Sequence, residues 1–277
     1  MPIDFNQQII DEFRANGGRV GGPFEGGRLL LLTTTGARSG KPHTTPLGYL
    51  PDGGDRSIVI ASAAGAPKHP AWYHNLVAEP RVKVEDGVFT YEADAVVLEG
   101  AERDAIFARA VEADPGWQAY QDETARILPV IALKAIDGGP PAGPPGDSLI
   151  AVHGAFRREL ELIRKEVAAS GAVLGAQLRV NCLTLCEGLG HHHLMEDNGL
   201  FRYLDQAHPE LAPALARMRE EHHTVKRLLD ELQALLALEN PDRATLLAEV
   251  ERLTTELEAH LDYEEEQLVP LLNGMTA

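Results

Sequence analysis

The ten residues 137–146, DGGPPAGPPG, separate two parts of the chain that differ in composition. They comprise four glycines and four prolines and include no large apolar side chain. Such a segment cannot contribute to a hydrophobic core and behaves as a stiff, partly extended spacer. A chain of 277 residues is also longer than most single domains. We therefore predict an N-terminal domain over 1–136, a linker over 137–146 and a C-terminal domain over 147–277.

The N-terminal domain is rich in short β-branched runs that are separated by glycine, proline and aspartate. This pattern predicts strands of a mostly antiparallel sheet or barrel, with helices that flank or interrupt it, and hence an α+β fold. The predicted strands are 28–35, 57–63, 81–85, 91–99 and 128–133. The predicted helices lie near 4–15, 70–78, 101–113 and 117–126.

The C-terminal domain has no strand pattern and contains four long amphipathic segments. They predict an all-α domain, an up-down four-helix bundle. We expect Asp147 to cap the first helix and the second helix to span about 172–204. The third helix is expected to start at Pro209, and the fourth to open at Pro241 and to close at Pro270.

The net charge of −17 at pH 7 argues against a nucleic-acid partner, because such a protein needs a basic surface for phosphates. The two cysteines are too few for a disulfide scaffold, which favours a reducing compartment. No segment approaches the roughly 20 apolar residues that span a membrane, and the N-terminus lacks the features of a signal peptide. We therefore expect a cytoplasmic protein without a membrane span.

Histidine is concentrated in the C-terminal domain, which contains eight of the 11 histidines. Each predicted helix places one histidine on its apolar stripe, and the second and fourth helices add a glutamate four residues later on the same face. Unpaired carboxylates inside a bundle are too costly without cations or partners. Mixed imidazole and carboxylate ligation suits iron or manganese, often as a bridged pair. The predicted ligands are His153, His192, Glu196, His222, His260 and Glu264.

The neighbours of His192 differ from it in helical phase, since consecutive helix residues are turned by about 100°. We therefore expect His191 and His193 to face solvent or to support the ligands from outside the metal site. Asp197 is expected to support a ligand, and Cys182 to be a buried thiol rather than a ligand.

The spacing of these residues resembles the hemerythrin-like, or HHE cation-binding, domain family over about 147–273. The segments HHLMED and HLDYEEEQLVP match the repeated His-x-x-x-Glu signature of that family. The resemblance implies a di-iron centre held by the six predicted ligands, with Glu196 and Glu264 as candidate bridges. Oxygen-carrying members place a second histidine one turn after the histidine of the third helix, where this chain has Lys226. Reversible oxygen carriage is therefore not expected, which leaves oxygen or nitric oxide sensing, iron handling and redox chemistry open.

Two loop stretches of the N-terminal domain combine small residues with cations. The stretch 33–47, TTTGARSGKPHTTPL, contains Arg38 and Lys41, and glycine-rich turns of this kind bind anions through backbone N–H groups. The stretch 61–76, ASAAGAPKHPAWYHNL, carries Lys68 and enters a helix, whose N-terminus favours a phosphate. An ordinary hairpin turn with solvated charges would explain the first stretch equally well.

These two stretches, together with GAERD and YQDETARILPVIAL, resemble the deazaflavin-dependent nitroreductase family over 17–135. That family binds coenzyme F420 in a split β-barrel and transfers a hydride to a quinone- or nitro-type acceptor. The resemblance implies cofactor-binding residues in both loops. They are Arg38, Ser39, Lys41, His43, Ser62, Ala63, Lys68, Trp72, Tyr73 and Asn75.

The chain departs from this family at two of its positions. His43 stands where the family usually has arginine, and Trp117 replaces a tyrosine that can donate a proton, so Tyr120 is the remaining candidate donor. The resemblance implies an oxidoreductase with a small-molecule electron acceptor, and relatives often form homodimers. The alternative is a non-enzymatic sensor or iron-binding protein whose barrel holds F420, FMN or haem without turnover.

Overall fold

A computed structural model of the chain describes residues 5–139, 143–170 and 174–275. The chain divides into two compact units, one of Met1–Pro141 with Gly175–Val180 and the other of Ala142–Leu174 with Asn181–Ala277. Residues 140–142 of the predicted linker and the predicted start of the second helix near Ala172 lie outside the described residues.

The first unit contains a sheet of seven strands in the order β2-β1-β5-β6-β7-β4-β3, in which all neighbours are antiparallel. Its strands are β1 Leu29–Thr35, β2 Pro42–Gly48, β3 Leu50–Pro51, β4 Arg56–Ile60, β5 Arg81–Asp86, β6 Phe89–Val97 and β7 Val130–Gly139. Its helices are α1 Phe5–Ala15, α2 Ala71–Ala78, α3 Gly100–Ala113 and α4 Gly116–Asp122.

The ends of this sheet remain open, which corrects the prediction of a barrel. The edge strands β2 and β3 do not pair with each other within the described residues. Tyr49 alone separates these two strands in the sequence. Because consecutive Cα atoms are about 3.8 Å apart, the two edges of the sheet must approach each other at Tyr49. The sheet is thus curled, but its hydrogen-bonded ladder does not close into a barrel.

The sequence predicts a loop over 33–47, and the structure corrects this prediction, because β2 occupies the last residues of that stretch. Its register pairs Leu31 with Pro46 and Thr35 with Pro42, so two prolines lie in the strand. Proline is tolerated there because β2 is an edge strand and one side of its backbone needs no partner.

Both faces of the central strands are buried, which explains their nearly continuous apolar sequences. On β1, Leu30 and Leu32 belong to the core cluster that includes Trp72 of α2. Leu29 and Leu31 point the other way and pack with Phe13 of α1. Strand β4 alternates in the same manner, and its side chains on the face away from the Trp72 cluster pack on α3.

The second unit is helical, so the prediction of a sheet domain followed by a helical domain is confirmed. Its α-helices are α5 Pro145–Ala169, the part of α6 (Ala176–Met195) from Asn181 onward, α7 Phe201–Ala207, α8 Ala212–Leu236 and α9 Arg243–Gly274. A π-helical turn, Glu196–Leu200, joins α6 to α7, and α9 packs against both α5 and α8. None of the helices within the described residues is long and apolar enough to cross a membrane.

The helix ends differ from several predictions. Helix α5 begins at Pro145, so Asp147 lies in its first turn, where its Oδ1 accepts a hydrogen bond of 2.8 Å from Asn273 Nδ2. Helix α9 is capped by Asp242, whose side chain accepts from the backbone of Thr245. Pro270 lies inside α9 and does not end it, since the helix continues to Gly274.

Candidate functional site

The helical unit gathers the predicted ligands into two groups of donor atoms. One group contains His153, His192, Glu196 and Glu264, and the other contains His193, His222 and His260. Within each group the donor atoms lie within 4.8 Å of one another. All seven side chains are buried except His192, which is nearly so.

The two carboxylates lie between the groups. Glu196 Oε1 is 3.1 Å from His192 Nε2, while its other oxygen, Oε2, is 3.6 Å from His222 Nε2. Glu264 Oε2 is 3.6 Å from the Nε2 atoms of both His153 and His260. Each carboxylate therefore reaches imidazoles of both groups, which is the arrangement that two neighbouring cations would require of bridging ligands.

Most of the polar atoms that face this space have no hydrogen-bond partners among the described residues. They are both carboxylate oxygens of Glu196 and Glu264 and the Nε2 atoms of His193, His222 and His260. Buried polar atoms are rarely left unsatisfied, and buried charges without partners are costlier still. The donor set and its unmet atoms therefore fit bound metal cations.

In three of the histidines, the ring nitrogen that faces away from the site, Nδ1, is hydrogen-bonded to a carboxylate. Nδ1 of His153 donates to Glu265 Oε1 at 2.9 Å, and Nδ1 of His222 donates to Asp197 Oδ1 at 2.9 Å. His260 Nδ1 makes the same contact with Glu221 Oε2 at 3.0 Å. Such contacts fix the tautomer, so that the lone pair of Nε2 points into the site, as in metal-binding histidines generally.

The supporting role of Asp197 was predicted, whereas Glu221 and Glu265 were missed. Each of these two glutamates directly follows or precedes a predicted ligand in the sequence, and that adjacency was the available signal.

Burial adjusts the protonation of these groups in the metal-free protein. It lowers the pKa of His153 to about 2 and that of both His192 and His222 to about 4, so the imidazoles are neutral at pH 7. Burial also raises the pKa of Glu264 and, together with the neighbouring Glu264 charge, that of Glu196. A neutral imidazole can bind a metal ion through its free nitrogen lone pair, and the carboxylates must bind either protons or cations.

His193 is buried, with only 5% of its surface exposed, and belongs to a donor group. This burial excludes the alternative in which His193 faces solvent, while the adjacent His191 is exposed as expected. The prediction relied on one buried direction for the helix. In the structure, both His192 and His193 point inward, because the surface of α6 that faces the site is wider than its apolar stripe.

The π-helical turn begins at Glu196, directly at the metal-donor group. A π turn contains an additional residue per turn, and such turns are frequent at functional sites. Phe201, five residues after Glu196, is fully buried and stacks on the His222 ring at a centroid distance of 5.3 Å. The turn thus allows both Glu196 and Phe201 to face inward.

In the sheet unit, the turn between β1 and β2 is closed by its own backbone. Gly36 N donates to Lys41 O at 2.8 Å, and Gly40 adopts a positive φ of 63°. Ser39 Oγ accepts from Lys41 N at 3.2 Å and lies 3.2 Å from His43 Nε2. Ser39 and His43 therefore stabilise the turn, while the cations remain on its outside.

The three predicted anion-binding cations, Arg38, Lys41 and Lys68, are exposed. None of them forms an ion pair within the described part of the chain, although acidic residues predominate in the sequence. Unpaired, exposed cations on these two loops fit an anionic cofactor.

Asn75 connects the two predicted loops. Its Oδ1 accepts a hydrogen bond of 3.0 Å from Ala37 N, and its Nδ2 donates to Thr34 Oγ1 at 3.0 Å. Asn75 is buried in α2, the helix that follows the second loop. Its amide therefore holds the first loop against the helix that the second loop enters.

The second loop contains a strained turn. Ala63 and Ala64 both have φ values of 49°, a conformation that is unusual for residues other than glycine and that recurs at functional sites. The Arg126 guanidinium donates to three carbonyls around this turn, those of Ala61, Ser62 and Ala66. Arg126 was not among the predicted site residues, although it lies in the block YQDETARILPVIAL, which resembles the deazaflavin-dependent nitroreductase family.

We expect Arg126→Ala to destabilise this loop, because three carbonyls would lose a charged donor. The expected loss of unfolding free energy is about 2–4 kcal/mol, with faster hydrogen exchange at the amides of Ala63–Ala66. Urea unfolding and native-state hydrogen exchange measure the two effects. Arg126→Lys should restore little, since one ammonium cannot reach three carbonyls. Unchanged exchange in Arg126→Ala would contradict this role.

The remaining predicted residues of the sheet unit have different environments. Trp72 is packed in the core, whereas Tyr73 is half-buried with its ring centroid 4.8 Å from that of His69. Tyr120 is 38% exposed on α4, the helix that contacts the strained turn, and its ring lies 6.2 Å from that of Trp117. Ser62 and Ala63 belong to that turn and are half-buried.

Comparison with known proteins matches each unit separately. Residues 6–135 match the family profile for F420H(2)-dependent quinone reductase, and residues 145–272 match that for the hemerythrin HHE cation binding domain. The F420H(2)-dependent quinone reductase of Mycobacterium tuberculosis strain H37Rv is 35% identical over 133 residues, which cover 44% of this chain and 83% of that protein.

Two solved structures share 42% sequence identity with the chain. The structure described as F420-H2 dependent reductase (FDR-A) covers 39% of this chain and 94% of its own, with a TM-score of 0.36. A second, described as a domain-swapped dimer, covers 39% of this chain and 80% of its own, also with a TM-score of 0.36.

Proposed function

Because the chain belongs to the F420H2-dependent quinone reductase family and also contains a hemerythrin HHE domain, we propose that it is an F420H2-dependent reductase with a di-iron centre. The sheet unit would bind the deazaflavin, and the helical unit would hold the metal. A quinone is the acceptor class that the relatives suggest, and a nitro compound is the second candidate.

Cofactor binding is supported by the three unpaired cations on two loops that Asn75 ties together. Arg38 and Lys41 would bind the phosphate and acidic tail of F420, and Lys68 would face the second loop. When bound, the reduced deazaflavin supplies a hydride, and the protein supplies geometry and a proton. Tyr120 is the candidate proton donor, since its helix contacts the strained turn that includes Ser62 and Ala63.

The di-iron proposal is carried by one observation, the position of Glu196 and Glu264 between two groups of buried imidazoles. Two bridging carboxylates and terminal imidazoles are typical donors for a pair of iron ions in a helical bundle. We infer a four-helix bundle composed of α5, α6 with α7, α8 and α9. Oxygen or nitric oxide are the small molecules that such a centre would sense or convert.

The reductase proposal predicts that the purified protein oxidises F420H2 when menadione is supplied as a soluble quinone. A rise in the deazaflavin absorbance at 420 nm reports the reaction, since this band is that of the oxidised cofactor. Tyr120→Phe would lower the turnover number and leave the dissociation constant of F420H2 nearly unchanged if Tyr120 donates a proton. Failure of the wild-type protein to bind F420H2 would refute the proposal, whereas binding without turnover would favour the non-enzymatic alternative.

The absorption spectrum of the protein as purified separates the remaining cofactor alternatives. Deazaflavin, FMN, haem and oxo-bridged iron have distinct spectra, so FMN or haem bands would replace F420 as the proposed ligand of the sheet unit. Elemental analysis should give two iron ions per chain.

A further inference from the structure

We propose that His193 is a seventh metal ligand, so that the consecutive residues His192 and His193 bind different ions of the pair. This inference rests on the proposed metal centre and adds a ligand from α6. Helix α6 would then contribute to both metal positions through adjacent residues.

The first support is the state of the His193 ring. Its side chain is buried, and its Nε2 has no hydrogen-bond partner among the described residues. A ring nitrogen of His193 lies within 4.8 Å of ring nitrogens of both His222 and His260, whose Nε2 atoms are equally unpartnered. Three buried imidazoles with unmet nitrogens at one place need a shared cation, because each unsatisfied nitrogen is costly by itself.

A packing role alone does not account for this arrangement. The His193 ring stacks on the His222 ring at a centroid distance of 4.1 Å and an interplanar angle of 13°. Any aromatic ring could provide that stacking, and phenylalanine would do so without burying a polar nitrogen. The Nε2 atom of His193 is therefore the feature that ligation explains and stacking does not.

Helix α8 offers no substitute for this ligand. One turn after His222, the side chain of Lys226 is 70% exposed and its Nζ lies 2.7 Å from Asp230 Oδ2. Lys226 is thus turned away from the site, and His222 is the donor that α8 contributes to this group. His193 gives the group its third imidazole from the neighbouring helix.

The two proposed metal positions would differ in their ligands. One ion would have three imidazoles, those of His193, His222 and His260, and the other would have two, those of His153 and His192. Both would share the carboxylates of Glu196 and Glu264. The position with His193 is expected to be the more tightly held, since imidazole is a strong ligand for divalent first-row metals.

The test is His193→Phe, which retains the stacking and removes the nitrogen. Its matched control is His191→Phe, since His191 is the exposed neighbour on the same helix. We expect wild type and control to retain two iron ions per chain after dialysis against a weak chelator, and His193→Phe to retain one. The affinity for the second ion should fall on the order of 100-fold or more, at least as much as the loss of a residue that only supports a ligand.

Three results would speak against the proposal. Two ions bound by His193→Phe with wild-type affinity would overturn the seventh ligand and leave the metal centre intact. Absence of metal in the wild-type protein after iron loading would refute the centre and the seventh ligand together. If His193→Phe does not fold, a crystal structure of the iron-loaded wild type decides. His193 Nε2 at roughly 2.0–2.2 Å from a metal ion supports ligation, and a longer, non-bonded distance overturns it.

Discussion

Removing the metal ions with a strong chelator is expected to lower the unfolding temperature of the helical unit by about 10–20 °C. Without cations, Glu196 and Glu264 remain buried with no hydrogen-bond partners among the described residues. Each carboxyl group must then either take up a proton or remain an uncompensated buried charge, and both cost free energy of unfolding. About 5 kcal/mol in total corresponds to that temperature range for a unit of this size. Differential scanning calorimetry of metal-loaded and metal-free protein measures the shift.

The metal-free protein should also lose stability as the pH rises from 7 to 9. Burial raises the pKa of both glutamates from the ordinary value of 4.5, so the folded state retains protons that the unfolded state releases. Stability therefore falls with rising pH, by up to about 1.4 kcal/mol per pH unit for each group that stays protonated. The buried histidines, whose pKa is lowered from 6.5, act in the opposite direction and only below that value.

The double variant Glu196→Gln with Glu264→Gln is the matched control for both effects. Its neutral amides cannot hold the metal pair, and they do not titrate between pH 7 and 9. We expect the metal-free double variant to be more stable than the metal-free wild type at pH 8 and nearly independent of pH. A metal-free wild type that unfolds at the same temperature as the loaded protein would show that the carboxylates need no cation.

Replacing both Arg38 and Lys41 with alanine is expected to weaken F420H2 binding by about 100-fold or more. A charge-assisted hydrogen bond to an anion accounts for roughly tenfold to 100-fold in affinity, and the double variant removes two. The turnover number at saturating cofactor should change little, because the two side chains are proposed to bind the phosphate and acidic tail and not the reacting ring. Fluorescence titration of the deazaflavin gives the dissociation constant.

Lys134→Ala is a suitable control, since Lys134 is an exposed lysine of β7 outside both loops. The wild-type affinity should decrease with rising salt concentration, and this dependence should be weaker in the Arg38 and Lys41 double variant. Equal affinity in the double variant and the Lys134 control would exclude the first loop as the anion-binding site.

The fold was predictable from the sequence where one physical pattern dominated. The apolar runs of β1, β4 and β7 are buried on both faces, so their sequences predicted strands. The amphipathic stripes of the C-terminal half predicted helices because burial of one stripe stabilises them. Strand β2 was missed, since an edge strand with Pro42 and Pro46 lacks the pattern of a buried one.

The candidate metal site was predictable as a set of residue types, and its finer geometry was not. The His-x-x-x-Glu spacing predicted that His192 and Glu196 share a face, which follows from helix geometry alone. The burial of His193 depends on what surrounds α6, which a single helical period does not encode. The contacts of Glu221 and Glu265 depend on packing between helices and are likewise invisible to local spacing.

The π-helical turn at Glu196–Leu200 has a consequence for how this chain can be altered by insertions and deletions. A π turn holds one residue more than an α-helical path, and each residue turns the helix by about 100°. Deleting one residue between Asp197 and Leu200 would replace the π turn with an α-helical turn and leave both the ligands of α6 and the core residues Phe201 and Leu204 in phase. The residues after the π turn are therefore shifted by one position in helical register relative to those before it. An alignment to a relative without the turn requires a one-residue gap at this place.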